Sequence, residues 1–274
     1  MQFDSSAGSH PATALTRTAV FVATRWELHA LRRALFLDKV SQVGGVRCLI
    51  AERGERVYCV IQTGIGPDRA RGAARAVLSE GDWALVLSTG FAGSLVPADI
   101  GDLIVGTDVV PLHHDGQWAR DAGLFPCSKD EQSRLLSVGR EAGMAVKPGG
   151  MVSTPHIVWR ANEKRAIRDL THAVGLDMES AALASVAYEK GIPMAIVRTV
   201  SDLVDEDLPL DFNLFLRPTG WLTGLWALIS HPASFAGLNR LRVQSRVAAD
   251  RLARFFRRYV DMREEIRPVT ESIR

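Results

Sequence analysis

Short apolar runs, rich in β-branched residues, alternate along this chain with amphipathic stretches. Residues 18–23, 84–89 and 194–200 are predominantly apolar without alternation, as strands buried on both faces require. Residues 26–37 carry Leu28, Leu31, Ala34 and Leu35 at helical spacing, and 181–190 is a run of helix formers stopped by Gly191-Ile-Pro193. Residues 46–51 and 57–62 flank a charged turn and predict a hairpin. Further helices are expected over 68–79, 128–142 and 162–170, strands over 102–110 and 149–154, and an irregular loop over 111–128. Strands that alternate with helices in this way predict an α/β fold, a mixed central β-sheet covered by helices on both faces.

Composition narrows the class. With 274 residues, 47% hydrophobic and 23% charged, the chain can bury a full α/β core and is not disordered. A net charge of +2 is too weak to point to nucleic acid as the main partner, and none is expected. The three cysteines have no ligand-like spacing, so a reducing cytoplasm is expected rather than a disulfide framework. Residues 1–17 read as a loose leader without the apolar core of a signal peptide, and no apolar run is long enough to span a bilayer. His113-His114-Asp115 lacks a third ligand at zinc-like spacing, so neither a metal nor another cofactor is expected.

Three carboxylates stand out. Glu27, Glu179 and Asp202 each fall just beyond an apolar run, where open α/β sheets gather ligands. Two readings are open for each: a carboxylate that caps helix amides, or one held for chemistry. Two glycine turns, Gly64-Ile-Gly66 and Gly90-Phe-Ala-Gly93, follow strands and allow close backbone approach to a ribose or an anion.

Four segments, Ala23-Thr-Arg-Trp-Glu27, Thr63-Gly-Ile-Gly66, Ser88-Thr-Gly-Phe-Ala-Gly93 with Gly101-Asp102, and Asp177-Met-Glu179 with Val197-Arg-Thr-Val-Ser-Asp202, together resemble the purine nucleoside phosphorylase and methylthioadenosine/S-adenosylhomocysteine nucleosidase superfamily. The resemblance spans 18–203 and implies a three-layer phosphorylase/hydrolase-like fold that cleaves the bond between a purine and ribose. It implies Asp202 as the general acid on the purine, oriented by Ser201, and Glu27 as the carboxylate that activates water. Glu179 would accept the ribose hydroxyls with Met178 under the sugar, and Gly90 and Phe91 would border the base. The purine clamp would be rebuilt at Val158 and Trp159, where the family places a phenylalanine, and Phe91 stands where nucleosidases have a serine. His156 replaces an acidic residue of a family turn. Phosphorolysis would need an anion site, for which Arg25, Gly66, Arg69 and Thr89 are candidates; Glu27 favours water. The resemblance also implies a homo-oligomer.

Beyond this core lies a helical extension, 204–274. Residues 221–229 are apolar, and 238–259 place Leu238, Leu241, Ala248, Leu252, Phe255, Phe256 and Tyr259 opposite seven arginines, Arg240, Arg242, Arg246, Arg251, Arg254, Arg257 and Arg258. Such a helix either packs on its own domain or lies on an anionic inner-membrane face. Leu208-Pro209, Leu228-Ile-Ser-His-Pro232 and the arginine-rich helix resemble the hopanoid-associated branch of the superfamily. That branch implies adenosylhopane, a lipid-tailed adenosine, as substrate.

Overall fold

In a computed structural model, residues 15–209, apart from 38, 116 and 122, and residues 233–265 are described. Eleven strands form one mixed sheet. Its centre is β5 (Leu85–Ser94), flanked by β1 (Thr16–Val22) and β11 (Met194–Asp202), both parallel to it. On the β1 side the order continues through β4 (Arg56–Gln62), β3 (Val46–Arg53) and β2 (Lys39–Val43). On the β11 side it continues through β6 (Leu103–His114), β9 (Val146–Ser153) and β10 (Gly175–Asp177). β10 pairs back onto β5, so five strands close into a ring. The short β7 (Trp118–Arg120) and β8 (Phe125–Pro126) pair with β6.

Strand side chains alternate between two cores, as the two-residue period dictates. Val20, Val22, Leu87 and Val197 meet α1 (Arg25–Leu35), α3 (Lys129–Glu141) and the last helix, α6 (Ala233–Glu265). Ala19, Phe21, Val86 and Ile196 meet α2 (Pro67–Leu78) and α5 (Ser180–Glu189). A third cluster joins Leu95, Leu112, Val152 and Val158 to Ile167 of α4 (Ala161–Thr171). The result is the three-layer sandwich that the alternation of elements predicts.

Three expectations change. The segment Gly90-Phe-Ala-Gly93 is not a turn: β5 runs through it to Ser94, with Gly90 at φ 137°, a conformation open to glycine. The region expected as a loop from 111 begins as the end of β6, which reaches His114, and goes on through β7 and β8. β2 was not anticipated, because its sequence KVSQV is polar and mostly exposed.

The helical extension is partly described. The apolar stretch 221–229 and the segment 228–232 lie outside the described residues. α6 buries Leu252, Phe255, Phe256 and Tyr259 completely in the core shared with α1 and α3. The Tyr259 hydroxyl donates to Glu131 Oε1 at 2.6 Å. Arg242, Arg246, Arg254 and Arg257 remain exposed, while Arg258 pairs with Glu141 and Arg240 approaches Glu206. No helix among the described residues is long and apolar enough to cross a membrane.

Candidate active site

Glu27 enters the site through a capping box. Thr24 caps α1, and Glu27, at the third helical position, returns its carboxylate to the start of the helix. Its Oε2 accepts the Ala23 and Thr24 amides at 2.9 and 2.6 Å. Its Oε1 accepts the Phe91 amide at 2.8 Å. The capping reading is therefore realised, yet the same carboxylate reaches across to β5. A Cβ on Gly90 would stand 2.2 Å from Glu27 Oε1, so glycine is what lets the acid approach this strand. Three backbone donors leave one lone pair free, on Oε1.

Glu179 stands at the start of α5 but caps nothing with its side chain. Instead Oε1 accepts the Gly66 amide at 2.8 Å, from the glycine turn after β4. Burial pushes its pKa up to about 7; the Asp177 and Glu27 carboxylates add to the rise, and the Arg198 guanidinium and Gly66 amide oppose it. These influences put Glu27 and Glu179 in one electrostatic neighbourhood. Met178 is buried, its Cε about 4.0 Å from where a Gly66 Cβ would lie.

Asp202 ends β11, directly opposite Gly93 in the parallel register with β5. A Cβ on Gly93 would stand 2.8 Å from Asp202 Oδ1. β5 thus serves both acids, Glu27 over Gly90 and Asp202 over Gly93. Ser201 Oγ lies 3.1 Å from Asp202 Oδ2 and 3.3 Å from the Ala92 carbonyl. Behind Asp202, the Lys164 ammonium of α4 donates to Oδ1, with none of the lysine side chain exposed.

The remaining candidates separate. Thr89 is buried beside Gly90, and its hydroxyl has no partner among the described residues. Val158 is 2% exposed and packs in the third core cluster, and Trp159 stacks under the Arg160 guanidinium at 4.5 Å. Arg69 is exposed against Gly64. Arg25 is exposed at a cavity of about 490 Å³ that it shares with His29, Arg32 and Arg47, outside the β5 neighbourhood of the three acids. His156 and His114 pack edge to face at 5.6 Å, and the described residues hold no group of metal-ligating side chains.

Sequence reasoning passed over two cations. Arg198, in β11, is 1% exposed; its guanidinium donates to the Thr89 carbonyl at 3.0 Å and to the Ser88 and Ser180 hydroxyls at 2.8 and 3.1 Å, and pairs with Asp177 at 2.8 Å. Asp177 in turn accepts from Ser153 at 2.6 Å and from the Ser180 amide at 3.2 Å. The signal for Arg198 was a charge inside an apolar strand. Lys164 had a subtler one: it lies three residues from both Ala161 and Ile167, on the buried stripe of α4.

The chain matches the model of the Phosphorylase superfamily over residues 17–217. It is 26% identical over 212 residues to the 5′-methylthioadenosine/S-adenosylhomocysteine nucleosidase of Haemophilus ducreyi, covering 73% of this chain and 90% of that one. Among solved structures, a Helicobacter pylori 5′-methylthioadenosine/S-adenosylhomocysteine nucleosidase, complexed with a pyrrolidine-based ligand, superposes at a TM-score of 0.71 with 20% identity. That match covers 91% of this chain and 100% of the other. The futalosine hydrolase of Helicobacter pylori superposes at 0.70 with 20% identity, over 90% of this chain and 98% of that one. The fold is shared with these nucleoside-handling proteins, and by its sequence this chain belongs to the Phosphorylase superfamily.

Proposed function

We propose that the protein is an N-ribosyl-cleaving enzyme that releases adenine from an adenine nucleoside with a modified 5′ position, using water as nucleophile. The observation that carries this reading is the grouping of Glu27, Glu179 and Asp202 about β5 and the Gly66 turn. As the bond from C1′ to the purine breaks, its electrons pass to the base, and Asp202 gives a ring nitrogen a proton. The sugar becomes cationic, as in other glycoside cleavages, and the Glu179 carboxylate beside the ribose hydroxyls favours that charge. Water adds to C1′ and loses its proton to the free lone pair of Glu27 Oε1. Met178 packs under the sugar, Phe91 and Gly90 border the base, and Trp159, next to the buried Val158, flanks it.

Adenosylhopane is the leading substrate and methylthioadenosine or S-adenosylhomocysteine the alternative. The nucleosidase names of the relatives support the bond broken. Beside Met178 opens a cavity of about 320 Å³, lined by Pro67, Leu112, Ala181 and Ala182 among others, at the small end of ligand pockets. Its size by itself favours the alternative, methylthioadenosine; adenosylhopane would carry its lipid tail outside this cavity. The exposed Arg242, Arg246, Arg254 and Arg257 support a salt-sensitive, peripheral contact with an anionic inner membrane face. A cytoplasmic homo-oligomer completes this reading.

Phosphorolysis is a second reading, favoured by Arg69, which is exposed against Gly64 in the glycine turn that carries Gly66, whereas Arg25 faces a separate cavity. The deciding experiment measures adenine release from methylthioadenosine and from a lipid-tailed adenosine, each with and without phosphate. Release of free ribose product without phosphate supports hydrolysis, phosphate dependence supports the second reading, and no adenine from either nucleoside sinks both.

A further inference from the structure

A lysine with none of its side chain exposed is costly unless its charge is used. Lys164 occupies a position on α4 where the neighbouring inward residues are Ala161 and Ile167, so an apolar side chain would serve packing. Its ammonium instead donates to Asp202 Oδ1, to the Leu203 carbonyl at 2.8 Å and to the Glu206 carbonyl at 3.3 Å. All three of its donors are matched. The chain after Asp202 is fastened to the same helix at two more points. Asp207 Oδ1 accepts the Ala161 amide at 2.7 Å, and the Leu208 amide donates to the Trp159 carbonyl at 2.8 Å. Acid, lysine and the stretch beside the base therefore form one bonded unit.

We propose that Lys164 is the positioning residue of the leaving-group acid. This rests on the reading of Asp202 as that acid. An N–H aimed at Oδ1 leaves only Oδ2 to carry the transferable proton. The Ser201 hydroxyl has one hydrogen for two acceptors, Oδ2 and the Ala92 carbonyl. While Asp202 is protonated, its Oδ2 hydrogen points at Ser201 Oγ or at the base, and serine donates to Ala92. When that proton moves to the purine nitrogen, the serine hydrogen turns to Oδ2. The ammonium, already on Oδ1, then stabilises the carboxylate left behind. No group has to travel.

The test compares Lys164→Met and Lys164→Gln with the native enzyme on two substrates, an adenine nucleoside and 4-nitrophenyl riboside, whose nitrophenolate departs without a proton. Asp202→Asn runs beside them. The expected result is a fall in kcat on the order of 10²-fold for adenine release, with KM little changed. Nitrophenyl riboside cleavage should stay near native in at least one of the two lysine variants, which also reports an intact fold. Equal losses on both substrates in both variants would reduce Lys164 to a packing element and overturn the proposal, as would adenine release at the native rate. If Asp202→Asn is selectively impaired while the lysine variants are native, only the role of Lys164 fails. If Asp202→Asn itself releases adenine normally, the acid is misassigned and the proposal falls with it.

Discussion

The Arg198 guanidinium lies 2.8 Å from the Asp177 carboxylate, with 2% of either side chain exposed. Asp177 closes β10 two residues before Glu179, and Arg198 sits in β11 four residues before Asp202. The pair therefore ties together the two chain segments that lead to Glu179 and Asp202. Ser88, Ser153, Ser180 and the Thr89 carbonyl satisfy its remaining polar atoms, apart from Arg198 Nε. Removing one partner strands a buried charge. Arg198→Met or Asp177→Asn should lower unfolding free energy by about 3–5 kcal/mol, read from urea midpoints. A loss within the range of a surface ion pair would show that the two charges are not held as a buried pair.

Asp202→Asn keeps the shape of the side chain but removes the transferable proton. Adenine release should fall by roughly 10²- to 10⁴-fold, with a melting temperature close to native. Unaltered release would remove Asp202 from the chemistry.

The pKa of Glu179, raised by burial to about 7, predicts a pH dependence whose sign is fixed. The ionised form is the one that favours a cationic sugar, so kcat/KM should drop as pH falls through about 7. Stability runs the other way. Between the ordinary value of 4.5 and about 7, the folded protein holds a proton that the unfolded chain has lost, so this group destabilises the fold as pH rises. Glu179→Gln should flatten that slope, so that the variant's melting temperature gains on the native protein's more at pH 8 than at pH 5, while abolishing most activity. A variant with the native pH–stability slope would contradict the burial argument.

Gly90 is the hinge of a steric argument. Alanine there would bring Cβ 2.2 Å from Glu27 Oε1 at a backbone φ of 137°. Gly90→Ala should cost about 1–3 kcal/mol in strain and push the Glu27 carboxylate off the Phe91 amide. Gly45→Ala, also at positive φ but with open space around it, shares the backbone strain without the clash. Activity should fall in the first variant and hold in the second; parallel losses would sever Glu27 from the reaction.

Much of this architecture is legible in the chain, and the exceptions have physical reasons. The runs at 18–23, 84–89 and 194–200 became β1, β5 and β11, because strands buried on both faces leave few alternatives. The placement of Glu27 and Asp202 at strand ends was legible too, since one follows and the other closes such a run. The identity of their partners was not. Arg198 and Lys164 are charged residues in apolar surroundings, and periodicity alone treats charge as exposure. The glycines of β5 misled in the opposite direction: a GFAG segment reads as a turn, whereas here the missing side chains make room for Glu27 and Asp202 beside an unbroken strand.

α6 offered two readings, and its contacts distinguish them in part. Phe255, Phe256 and Tyr259 are fully buried against α1, α3 and the sheet, so the apolar face is spent within the domain. Phe255→Ala should destabilise the protein by about 3–5 kcal/mol, measured by chemical denaturation. A change under 1 kcal/mol, as surface substitutions give, would mean that the helix rests only loosely on the core.

The return of β10 to β5 closes one end of the sheet upon itself. Apart from the three- and two-residue strands β7 and β8, only β2 then keeps one side unpaired along its whole length among the described residues. Its exposed positions are Lys39, Val40 and Gln42, and a lysine on a rim strand discourages a second chain from adding there. Among the described residues, strand addition by a second copy is thus left one short doorway, and Lys39 places a charge in it.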